Sequence, residues 1–127
     1  MSDLKRHVLV VDDDFLIVMG LTDQLEGMGL TVCGSASTAD EGVRLAQLHR
    51  PMLVLMDMRL DGAKDGVDAA IAIHETVGSK VIFITGSQDP STVDRIHMDH
   101  PCAILSKPVA DLQLRAAIDA AIGLKGV

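Results

Sequence analysis

At 127 residues the chain is long enough for one ordinary domain with a core of its own and too short for two, so one domain spanning residues 1–127, with no further domain, is expected. Eleven Lys and Arg against eighteen Asp and Glu leave a net charge of −7 with no basic run, and the only rings are Phe15 and Phe83; direct nucleic-acid binding and attachment to an anionic membrane are both disfavoured. No aliphatic run exceeds strand length and no signal peptide precedes the first, so a cytoplasmic location is expected.

The first apolar run, Val8 to Val11, leads straight into Asp12, Asp13 and Asp14 with no turn residue between. Acids packed this closely repel one another and resist ionisation unless solvent, a basic side chain or a bound cation relieves them. Leu16, Met19, Leu25 and Met28 then recur at helical spacing and mark the apolar face expected for a first helix, with Asp14 as its cap or first-turn acid. A second strand is expected over Leu30 to Gly34, flanked by Gly29 and Gly34. Gly27-Met28-Gly29 precedes that strand and lacks the third glycine of a dinucleotide fingerprint, so it reads as a turn. Ser37 and Thr38 are the candidate caps of a second helix carrying Ala39, Val43, Ala46 and Leu48 inward.

Met52 to Met56 is the third strand and runs into Asp57, followed by a helix with Val67, Ala70, Ile71 and Ile73 on one face and Gly78 at its end. Lys80 to Ile84 is the fourth strand, leading to Thr85. Pro90 opens a fourth helix, where its missing N–H costs nothing, anchored by Val93 and Ile96. Cys102 to Leu105 is the fifth strand, followed by Lys107 and Pro108. A last helix uses Leu112, Leu114, Ala117, Ile118, Ala121 and Ile122. Cys33 and Cys102 lie in apolar stretches without metal-binding spacing and are expected as reduced core residues, with the seven methionines as core fillers.

Strands alternating with helices imply right-handed βαβ crossovers and a parallel sheet covered on both faces. In such a sheet ligands bind at the carboxyl ends of the strands, near the point where strand order reverses. Those ends deliver Asp12 and Asp13, Asp57, Thr85 and Lys107. Carboxylates from two neighbouring strands make a hard-oxygen site suited to Mg²⁺. A carboxylate beside such an ion can attack phosphorus and form an acyl phosphate, while a hydroxyl donates to one phosphoryl oxygen and an ammonium neutralises another. Singly, a turn acid, a loop hydroxyl and a solvated lysine are the ordinary readings of Asp57, Thr85 and Lys107; their convergence at strand ends gives them weight together.

The motifs VLVVDDD, LVLMD, FITGS and ILSKPV, in this order and at these spacings, resemble the response-regulator receiver domain over essentially the whole chain. The resemblance implies a flavodoxin-like (βα)5 fold, an α/β doubly wound five-stranded parallel sheet, in which Asp57 takes phosphate from a sensor histidine kinase. It implies Mg²⁺ held by Asp13, Asp57 and the backbone carbonyl of Arg59, with Asp12 bound mainly through water. Thr85 and Lys107 match the family's phosphate-contacting pair, and the Lys107–Pro108 peptide is expected to be cis. Such a protein is no enzyme beyond catalysing its own phosphorylation and dephosphorylation, and its further partners are a histidine phosphotransfer protein or a downstream target protein.

Departures from the family pattern are local. The usual loop D-x-x-M-P-x-x-D-G is here Asp57-Met58-Arg59-Leu60-Asp61-Gly62-Ala63-Lys64-Asp65-Gly66, with no proline and one extra residue. Arg59 occupies a position from which family members tune phosphate lifetime. Ile104 stands where the fifth strand usually carries an aromatic ring that swings as the threonine moves, so the signal is expected to pass through Gly86-Ser87-Gln88-Asp89-Pro90 and the thinly anchored helix after it. The alternative from another class is a haloacid-dehalogenase-like phosphatase with Asp12 as nucleophile of a D-x-D loop. Against it, Leu16 replaces the usual Thr or Val and no later acidic pair completes the metal site.

Overall fold

A computed structural model of the chain describes residues 6–86, 90–97 and 101–123. Over these, β1 (His7–Val11), β2 (Thr31–Ala36), β3 (Leu53–Asp57), β4 (Lys80–Thr85) and β5 (Ala103–Ser106) alternate with α1 (Phe15–Gly27), α2 (Ala39–His49), α3 (Gly66–Thr76), α4 (Pro90–His97) and α5 (Asp111–Ile122). All pairings are parallel and the strand order is β2-β1-β3-β4-β5. This is the flavodoxin-like arrangement expected from the alternation of apolar runs. Strand order reverses between β1 and β3, which opens the ligand-binding crevice at the carboxyl ends of those two strands.

Burial explains why these runs are strands. Val8 to Val11 and Leu53 to Met56 are at most 1% exposed, because helices cover both faces of the sheet. Leu9, Val11, Val54, Met56 and Phe83 point to the layer formed by α2, α3 and α4, where Val67, Ile73 and Ile96 meet them. Val8, Val10, Leu55, Ile82 and Ile84 point the other way, to Leu21 and Leu25 of α1 and Leu114 and Ile118 of α5. β2, β3, β4 and β5 each end one or two residues beyond the expected apolar run. The parallel ladder recruits backbone regardless of side chain, drawing Asp57, Thr85 and Ser106 into it.

Four sequence expectations are corrected. The inward face of α1 is Leu21 and Leu25 flanked by the half-buried Ile17, Val18 and Met28, whereas Leu16 and Met19 are 75% and 50% exposed. The segment Phe15 to Met19 is apolar almost all round, so two stripes fit a helical period and only docking selects between them. Leu48 and Leu112, near the ends of their helices, are exposed as well. The cysteines are not core residues: Cys102 is exposed, and Cys33, on the edge strand, is half-buried with its thiol donating to the Val8 carbonyl at 3.5 Å. Met56 and Met58 are buried as expected, but Met19 is not. Ser87, Gln88 and Asp89 of the segment expected to carry the signal lie outside the described residues.

Caps agree with the local sequence. Asp14 caps α1, accepting from the Leu16 and Ile17 N–H groups, and the Thr38 hydroxyl accepts from the Glu41 N–H at the start of α2. Among the described residues no helix is long and apolar enough to cross a membrane. The corrected α1 face has a direct consequence: Leu21→Ala should cost about 2–4 kcal/mol in urea unfolding, and Leu16→Ala less than about 0.5 kcal/mol. Equal losses would restore the face first expected.

Candidate functional site

Register builds the site. Val11 pairs with Met56, so the next residue of each strand end, Asp12 and Asp57, emerge side by side. Thr85 pairs with Ser106, which brings Lys107 to the same edge, its N–H donating to the Thr85 carbonyl at 3.0 Å. The Lys107–Pro108 peptide that follows is cis, as expected. Asp12, Asp57 and Thr85 are 4%, 6% and 2% exposed, while Asp13 faces solvent. A cavity of about 720 Å³ opens onto Asp13, Asp57, Arg59, Thr85 and Lys107.

Every sequence-predicted side chain of the site is therefore at one edge of the sheet. Carboxylate oxygens of Asp12, Asp13 and Asp57 lie within 4.8 Å of one another. The Lys107 ammonium bridges two of them, 2.9 Å from Asp12 and 3.2 Å from Asp57. The other Asp12 oxygen accepts from the Asp14 N–H at 2.8 Å, and the Asp12 N–H donates to Ala36, so Asp12 is locked at the switch point.

Charge is poorly balanced here. Burial, and then the neighbouring charge of Asp12, push the Asp57 carboxyl up to about 6 against the opposing pull of Lys107. Partial desolvation and the charges of Asp61 and Asp12 raise Asp13 as well. Burial alone would lower Lys107, but its contacts with Asp12 and Asp57 outweigh that and raise it. One ammonium thus serves three carboxylates, and all the anionic donors are hard oxygens. That is a donor set to which a divalent cation of the Mg²⁺ type fits.

The unusual loop after Asp57 is held by backbone. The Gly66 N–H donates to Met58 at 2.8 Å, and a β-carbon on Gly66 would lie 2.1 Å from the Asp57 carbonyl oxygen, so glycine is required for this close approach. In place of the family's proline, the Asp61 N–H donates to Ser37 at 3.1 Å and Asp61 bridges Thr38. This tie explains how Asp61 comes near enough to perturb Asp13. Arg59 is exposed on the cavity wall, and Ile104 is half-buried beside Phe83.

Sequence reasoning missed one cluster. Asp65 caps α3 in a reciprocal capping box with Asp68, each backbone N–H donating to the other's carboxylate at 3.0 Å. Arg95 of α4 donates to both: Nε to Asp65 at 2.7 Å, Nη2 to Asp65 at 3.1 Å and to Asp68 at 2.9 Å. Burial works to raise Asp65, but these bonds prevail and hold it below the usual carboxylate range. The D-x-x-D spacing announces the box; nothing in the sequence announces Arg95.

A doubly wound sheet with a lysine-bridged carboxylate cluster at its switch point is a recognisable class of signalling domain, and the comparisons place the chain within it. The response regulator receiver domain model matches residues 8–119, and the chain belongs to this family, the receivers of two-component signalling. Similar proteins include the transcriptional regulatory protein PdtaR of Mycobacterium tuberculosis, 34% identical over 119 residues that cover 94% of this chain and 58% of that protein. Phyllosphere-induced regulator PhyR of Methylorubrum extorquens is 32% identical over 122 residues, covering 95% and 45%. The chain thus spans about half the length of these curated relatives. Among solved structures, the signal receiver domain of a modulated diguanylate cyclase from Desulfovibrio desulfuricans G20 superposes with a TM-score of 0.87 at 40% identity, covering 91% of this chain and 92% of that one. The phosphatase alternative finds no support: Asp12 is held by Lys107 and the Asp14 N–H, and Asp14, the second acid of its D-x-D loop, caps α1.

The raised Asp57 carboxyl makes stability depend on pH in a defined direction. Between the ordinary value of 3.8 and about 6 the folded protein holds the extra proton, so stability falls as pH rises through that window and stays lower above it. In EDTA, Asp57→Asn should match the parent near pH 4 and exceed it by about 1–2 kcal/mol at pH 7.5 in urea unfolding, since Asp12 keeps Lys107 paired. A difference independent of pH would contradict the burial argument.

Proposed function

We propose that Asp57 accepts a phosphoryl group from the phosphohistidine of a sensor histidine kinase, and that this domain signals to a partner protein or passes phosphate to a histidine phosphotransfer protein. In this reading the protein works in the cytoplasm and has no turnover on external substrates beyond its own phosphorylation and dephosphorylation. The observation that carries it is the Lys107 ammonium shared by Asp12 and Asp57 at the ends of the two central strands, beside buried Thr85.

Asp57 is ionised above about pH 6 and so is a competent nucleophile at neutral pH. One carboxylate oxygen attacks phosphorus, the P–N bond to the histidine breaks as the P–O bond forms, and its electron pair goes to the ring nitrogen, so that an imidazole already protonated on its other nitrogen leaves neutral. Asp57 thereby exchanges its single carboxylate charge for the charge that the phosphoryl oxygens bring with them, where Lys107 pairs with one oxygen and Thr85 donates to a second. Asp13, Asp57 and the backbone carbonyl of Arg59 would hold Mg²⁺, with Asp12 joined through water. When bound, the ion supplies neutralisation of phosphoryl charge. A phosphohistidine partner reaches the cavity past the first turns of α1, where Phe15 and Leu16 are 72% and 75% exposed and offer an apolar landing surface beside Asp13.

Incubation with acetyl phosphate and Mg²⁺, followed by mass spectrometric mapping of the labile adduct, tests the reading. Modification is expected on Asp57 alone and is expected to vanish in Asp57→Asn. Modification of Asp12, or steady hydrolysis of an aryl phosphate, would overturn it.

A further inference from the structure

Among its described residues α4 has few apolar ties to the sheet. Ile96 is fully buried, Val93 is half-buried, and four residues separate its first residue, Pro90, from Thr85. Ile104 provides no rotating ring to report the position of Thr85. Arg95 ties α4 to α3, its planar guanidinium forking onto the carboxylates of Asp65 and Asp68.

Those two acids are a rigid anchor. Both belong to the capping box of α3, and the residue between them and Asp57 in space is Gly66, pressed against the Asp57 carbonyl and bonded to Met58. The N-terminus of α3 therefore cannot move independently of the Asp57 backbone. α4 is joined to the site twice, by chain to Thr85 and by Arg95 to the Asp57 end of α3.

We propose that the Arg95 clamp on Asp65 and Asp68 is a latch that couples the state of Asp57 to the position of α4, in place of the threonine–aromatic coupling that Ile104 removes. The inference rests on the phosphoacceptor reading of Asp57. When Thr85 is drawn toward a phosphoryl group, the chain after it pulls α4, while the α3 anchor stays with Asp57. A two-point guanidinium contact tolerates little displacement, so the pull works against the clamp. By reciprocity, loosening the clamp must favour the phosphoryl-bound form. Arg95 acts as a positioning residue and touches no reacting atom.

Beryllofluoride with Mg²⁺ serves as the probe, titrated calorimetrically into the parent, Arg95→Gln, Asp65→Asn and the double variant; asparagine preserves the α3 cap. Arg95→Gln is expected to tighten beryllofluoride about threefold, the scale of a partly exposed ion pair, Asp65→Asn to tighten it less because the Arg95–Asp68 bond remains, and the double variant to gain no more than Arg95→Gln alone, because that variant already lacks the clamp. Amide shifts of residues 91–97 in Arg95→Gln should move along the line joining the free and beryllofluoride-bound parent. Lowered stability with unchanged beryllofluoride affinity would reduce the clamp to a structural tie and overturn the latch, as would additive effects in the double variant. Failure of the parent itself to bind beryllofluoride would instead overturn the reading of Asp57, and the latch with it.

Discussion

The Lys107 ammonium between Asp12 and Asp57 is the interaction on which the rest of the site depends. Two carboxylates emerging side by side from buried strands would push each other toward protonation, and Asp57 is already displaced to about 6 with Lys107 in place. The lysine reaches them because Ser106 pairs with Thr85 and the Lys107 N–H is tied to the Thr85 carbonyl, which sets the side chain at the same edge of the sheet. One positive charge against three clustered carboxylates leaves a surplus of negative charge, a donor set that fits a divalent cation.

Geometry around that interaction is stiff on one side and soft on the other. β1 and β3 are buried on both faces, and Gly66 seats the start of α3 directly on the Asp57 backbone. On the far side, over a β4 that is itself buried, α4 is held through buried Ile96 and the Arg95 clamp. In the proposed reading a phosphoryl group formed beside the seated end of α3 acts on α4, because a ligand shifts a conformational equilibrium only through contacts that differ between its states. Ile104 at the position of the family's aromatic and an acid-clamping arginine on α4 would then be two parts of one arrangement.

Much of this was legible in the chain. The alternation of apolar runs with helical spacing set the (βα)5 order, and because side chains at strand ends share one edge of a parallel sheet, Asp12, Asp13, Asp57, Thr85 and Lys107 could be grouped without coordinates. What could not be read depends on docking between elements distant in sequence. The apolar sequence Phe15 to Met19 satisfies more than one helical face, so Leu16 and Met19 were misplaced until packing against the sheet chose Leu21 and Leu25. Cys102 lies in an apolar stretch yet sits exposed at the mouth of a short edge strand. The Asp61 tie to Ser37 and the reach of Arg95 across to Asp65 join residues with no spacing rule between them.

The central claim is that the site is short of positive charge and that Asp57 bears the consequence. It is tested most directly by ¹³C NMR of the Asp57 carboxyl, followed as a function of pH first in EDTA and then in saturating Mg²⁺. The account predicts a midpoint near 6 without metal and a large downward displacement when Mg²⁺ is present. A midpoint in the ordinary carboxylate range near 4 under both conditions would contradict it.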